Sequence, residues 1–146
     1  MKREPESFNL ADLLDRKLGE ASAQEIQLEL IRRRKFNAFD GEQVADALVK
    51  HRELWESSFM DRLGIHREDR ELPAMSMIKL RDLAYDWNVD TLYILTPDVA
   101  SAKKLMEVFS MEEFCGEPYL IEDPDEVSSA IGAWPTEQAI VSVWWD

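Results

Sequence analysis

Carboxylates are the side chains of this chain best suited to chemistry, and six of them follow closely on three apolar runs. Asp98 comes after Thr91-Leu-Tyr-Ile-Leu95 and the dipeptide Thr96-Pro97. Glu122, Asp123, Asp125 and Glu126 come after Tyr119-Leu-Ile121, and Asp146 ends Ala139-Ile-Val-Ser-Val-Trp-Trp145. If the three runs are parallel strands, their carboxyl ends share one edge, where open α/β sheets bind ligands. Thr96, Asp98, Glu122, Asp123, Asp125, Glu126 and Asp146 would then meet there. Gathered carboxylates are the donor set of a Mg²⁺ site that could support phosphoryl chemistry.

The same acids have a plainer explanation. Asp98, Asp123, Asp125 and Glu126 stand where helical patterns begin, and unpaired amides and the macrodipole stabilise negative charge there by about 0.3–1 kcal/mol each. No neighbouring Lys or Arg would steady a developing phosphate charge, and five scattered glycines form no phosphate-cradling loop. A divalent-metal-dependent enzyme is therefore the second reading, and no cofactor is expected. Nucleophilic catalysis has less support. Cys115, the only cysteine, follows Glu112 and Glu113, a poor setting for a thiolate, and reads as a small buried or half-buried hydrophobe. No Gly-x-Ser-x-Gly elbow occurs. His51 falls in an apolar stripe and His66 in a charged loop, too far apart for zinc spacing.

The elements that must hold these acids are readable. From Thr91 to Asp146 the pattern is strand, helix, strand, helix, strand. Pro97 and Pro124 are 27 positions apart, and at that offset Ile94 meets Ile121, Asp98 meets Asp125 and Ser101 meets Ser128. Thr96 reads as a cap with Pro97 in the first turn, and Val99, Ala102, Met106 and Phe109 point inward. Asp123 reads as the next cap, with Pro124 in the first turn. Val127, Ala130, Ile131 and Trp134 then face the core, and Pro135 ends the helix. The last run is apolar at nearly every position, as a sheet covered on both faces requires. Strands joined through helices are normally parallel. The expected fold class is thus α/β: a small three-stranded, largely parallel sheet over about 91–146, covered by helices.

An N-terminal helical layer over about 7–64 should complete a single domain, 1–146. Leu10, Leu13, Leu14 and Leu18 are spaced for a first helix. Ser22-Ala-Gln-Glu25 has the form of a capping box for a second, running to about Lys35. Its Arg32-Arg33-Arg34-Lys35 end suits a solvated last turn, with Glu29 placed to pair with Arg33. Asp40 should cap the longest helix, reaching Gly64 through Val44, Ala47, Leu48, His51, Trp55, Phe59 and Leu63. A polar connector over about 64–75 leads to a helix from Ser76 to Asn88.

Charge sharpens the functional expectation. Residues 1–73 hold 13 Lys/Arg and 16 Asp/Glu, a net of −3, whereas residues 74–146 hold 4 and 14, a net of −10. That balance argues against a nucleic-acid backbone as partner. No apolar run reaches the roughly 18 residues of a membrane helix, so no membrane partner is expected. One cysteine and a charged start suit the cytoplasm. The leading expectation is a non-enzymatic interaction or regulatory module for a basic protein. Its contact residues would be Asp98, Glu122, Asp123, Asp125, Glu126, Trp144, Trp145 and Asp146, since acidic surfaces steer cationic partners and Trp is enriched at interface hot spots. Small acidic inhibitors of basic toxins, such as nuclease immunity proteins, follow the same logic, an analogy of charge and fold class. A DNA mimic and a homodimer with an exposed aromatic face are further readings.

Overall fold

A computed structural model of the chain describes residues 17–61, 87–134 and 136–146. The helix expected over 7–18, the connector over 64–75, His66 and the helix from Ser76 fall wholly or mostly outside them. The first described helix, α1 (Ala23–Arg33), opens on the capping box read from sequence: Ser22 accepts from the Glu25 amide, and Glu25 accepts from the Ser22 amide. Its cationic end is neutralised locally, with Arg32 and Arg33 both on Glu29, at 2.6 and 2.7 Å. A two-strand hairpin follows, β1 (Lys35–Phe36) and β2 (Phe39–Asp40). It turns the chain directly into α2 (Gly41–Lys50), capped by Asp40. Gly41 is required there, because a Cβ would lie 1.9 Å from the Ile31 carbonyl oxygen.

The long helix expected to reach Gly64 stops at Lys50. Trp55 turns back so that its indole N–H donates to the Leu48 carbonyl at 2.8 Å, satisfying the end of α2. Arg52 stacks its guanidinium on the same ring. Residues Ser57–Asp61 then form a strand, β3, with Ser58 and Met60 buried and Phe59 exposed. The spacing Trp55, Phe59, Leu63 is compatible with a helix, but Ser58 and Met60 supply an equally good alternation of period two.

The remaining elements are β4 (Thr91–Thr96), α3 (Val99–Phe109), β5 (Glu117–Ile121), α4 (Pro124–Ile131) and β6 (Ala139–Trp144). They appear in the order expected, but the sheet is not the expected one. Among the described residues it has four strands in the order β3-β4-β6-β5, and every neighbouring pair is antiparallel. The three-stranded, largely parallel sheet is thereby overturned. β4 and β5 do run the same way, but β6 lies between them in the opposite direction. Two causes explain the difference. A central strand covered on both faces reads as continuously apolar whichever way it runs. The connection from β5 to β6, moreover, need only return to a neighbouring strand, so it requires no crossover.

Registry fixes which residues share a face. Leu92, Ile94, Val141 and Val143 face inward and join Leu28, Ile31, Leu48, Leu105 and Phe109 in one cluster. Val127 and Ile140 are buried outside that cluster, and α4 packs on β6. This assigns α4 to the outer face, over the row Ser57, Leu95, Ile140, Ile121. No helix among the described residues is long and apolar enough to cross a membrane.

Candidate interaction surface

Asp98, Glu122, Asp123, Asp125 and Glu126 do gather at one end of the sheet, where β4 and β5 finish and β6 begins. Trp144, Trp145 and Asp146 do not join them. β6 runs away from that end, and Trp144 pairs across to Thr91 and Glu117 at the opposite one. The single acidic edge becomes five acids at one end and one at the other.

Each acid's role follows from its partners. Asp98, rather than Thr96, caps α3: its Oδ1 accepts from the Ser101 amide at 2.7 Å. That backbone hydrogen bond, with a further one from the Ser101 side chain, holds the Asp98 carboxyl below its usual value. The fully buried Thr96 hydroxyl lies 3.0 Å from the carbonyls of both Ala139 and Asp98 and ties the two strands together. Asp123 caps α4 as expected, accepting from the Asp125 and Glu126 amides at 3.0 Å. Glu122, Asp125 and Glu126 are exposed and make no ion pair with a described residue. Among the described residues, no group of three or more His, Cys, Asp or Glu could hold a metal ion. The acids share an end without converging on a point.

Several other candidates have moved. Trp145 is core: it is 1% exposed, its indole N–H donates to the Phe114 carbonyl at 2.6 Å, and it meets Phe39 edge-on. Trp144 is half-buried on the outer face. Cys115 is exposed rather than buried, in a left-handed turn with φ 51°, its thiol 3.0 Å from the Glu112 carbonyl. His51 ends α2, half-buried, with Nδ1 4.0 Å from a Glu53 carboxylate oxygen. Trp134, expected to face the core, is 88% exposed. The left-handed Gly132, φ 64°, ends α4 two residues earlier and throws the indole outward. Ala130 is likewise exposed. The Gly132 stop signal was present in the sequence and would have found this.

A second feature was missed altogether. Beyond α4, the outer face carries the row Phe59, Tyr93, Ser142, Tyr119 and then the row Asp61, Thr91, Trp144, Glu117. Phe59 and Tyr93 stack with centroids 5.5 Å apart, and Phe59 and Tyr119 are 48% and 67% exposed. Among the described residues, no Lys or Arg lies at a strand position of this face. The only cations described after residue 86 are Lys103 and Lys104, on α3, which packs on the inner side.

No family model matches the chain, and neither the curated proteins nor the solved structures give a significant match.

Proposed function

We propose that the protein is a non-enzymatic interaction or regulatory module that binds a basic protein partner, as an inhibitor of a basic protein would. The observation that carries this reading is the connection from β5 to β6. It presents Glu122, Asp123, Asp125, Glu126 and Glu137 together with an exposed Trp134, and no described cation forms an ion pair with any of those acids. In the N-terminal half, Glu29, Asp40 and Glu42 do have Arg or Lys partners. Unneutralised carboxylates beside an exposed indole suit a cationic surface, with charge speeding encounter and the indole supplying contact area.

Capture from the source lysate at low and at high salt tests this. Basic proteins should be retained at low salt and released once the Debye length shrinks to a few Å, at roughly 1 M salt. Recovery of no basic protein, or retention indifferent to salt, would contradict it.

A further inference from the structure

The strand at one end of the described sheet, β3, lacks the features that ordinarily protect a sheet edge. Its first four residues, Ser57-Ser-Phe-Met60, carry no charge and no proline, and its register with β4 runs from Ser57 to Asp61 without a bulge. Backbone groups along an antiparallel strand point alternately toward a neighbour and away from it. At Ser58 both face away from β4, and a single side chain engages them. The Gln24 carboxamide, from the first turn of α1, accepts from the Ser58 amide at 2.8 Å and donates to the Ser58 carbonyl at 2.9 Å. It also lies 3.1 Å from the Ser58 hydroxyl. One residue of an adjoining strand would make the same pair of backbone bonds. Gln24 thus takes the hydrogen-bonding place of a further strand beside β3.

The opposite end of the described sheet is closed differently. The Trp145 amide donates to the Asp90 carbonyl, which sets the phase of β6: Val141 and Val143 face β4, whereas Ser142 and Trp144 face β5. Their partners Tyr119 and Glu117 face back, so Pro118 points outward, and proline has no N–H to offer an incoming strand. We propose that Gln24 is an edge guard, a side chain that stands in for a neighbouring strand and keeps β3 from pairing with the β3 of a second copy. A second copy is the occupant excluded, because an antiparallel pair of β3 strands about a twofold axis sets the same uncharged stretch on both sides. The guard concerns β3 rather than the connection from β5 to β6, and so stands apart from the binding reading above.

The test is the oligomeric state of the full chain by sedimentation velocity, over rising concentration and at raised salt, which screens the repulsion between two acidic chains. The wild-type protein should stay monomeric and Gln24→Ala should shift to dimer. Gln24→Met, which keeps the length of the side chain without its hydrogen bonds, should dimerise in the same way. Gln24→Lys should stay monomeric, because a charge at an edge repels an added strand. In all three variants the Ser58 amide should exchange with solvent about tenfold faster than in wild type at low concentration, while amides of α3 keep their protection. In the Gln24→Ala dimer that amide should be protected again. Gln24→Ala and Gln24→Met that remain monomeric at every concentration would overturn the guard, as would a wild-type protein that dimerises through β3. Association of Gln24→Lys equal to that of Gln24→Ala would overturn it too, by tracing association to a loosened α1 rather than to an open edge.

Discussion

The two strand–helix units of the C-terminal half, β4 with α3 and β5 with α4, share a phase in sequence and differ in depth. In the first, Leu92, Ile94, Ala102, Leu105 and Phe109 are all fully buried. In the second, Val127 is the one buried side chain of α4, and β5 is an edge strand with no fully buried residue. Ile94 and Ile121 hold matched positions, yet one is sealed in the core and the other half-exposed. What separates them is sheet order. Among the described strands, β4 has a neighbour on each side, whereas β5 has β6 alone. The deep unit holds the molecule together, which leaves the shallow one free to spend Tyr119, Glu122, Asp125, Glu126 and Trp134 on its surface.

Substitutions can break this contrast. Leu105→Ala, in the deep unit, empties space in the main cluster and should cost about 3 kcal/mol, read as a shifted denaturant midpoint at unchanged slope. A similar loss on truncating Ile131 of α4 would erase the distinction. Gly116→Ala sits where the units meet. Its Cβ would lie 2.7 Å from Val143 and 2.8 Å from the Trp145 ring, so overpacking should cost about 2 kcal/mol by the same measurement.

Asp98→Ala should cost about 1 kcal/mol at neutral pH through loss of the α3 cap. Because the folded-state pKa of Asp98 is lowered, its contribution is complete above the ordinary carboxylate value and fades as pH falls through the folded value. The gap between wild type and variant should therefore narrow in acid. A gap that widened in acid would contradict the cap. Smallest is Trp134→Ala, expected to change stability by less than about 0.5 kcal/mol while weakening capture of a basic partner. A larger stability loss would return Trp134 to the core.

Several local signals in the sequence held, whereas strand direction and order were not legible. The Ser22–Glu25 capping box, the Asp40 and Asp123 caps and the run of elements from Thr91 onward each depend on a few adjacent residues, and the structure contains them. The apparent 27-residue phase misled at α3, because Pro124 lies inside its helix whereas Pro97 precedes the Asp98 cap. Strand direction was illegible because Ala139–Trp144 would look the same in either orientation. β3 was hidden because 57–61 satisfies helical and extended spacing at once. Of the candidate site, the acids ending β4 and β5 were legible from their positions after strands. The row Phe59, Tyr93, Ser142, Tyr119 was not, since it joins four strands whose order no sequence pattern encodes.

The division between a core-forming unit and a surface-presenting one is tested most directly by mapping amide shifts on adding a basic peptide of alternating Arg and Gly at low and then raised salt. The account predicts salt-sensitive shifts concentrated in β5, α4 and the loop through Trp134. Shifts concentrated in β4 and α3, or equal at both salt levels, would contradict it.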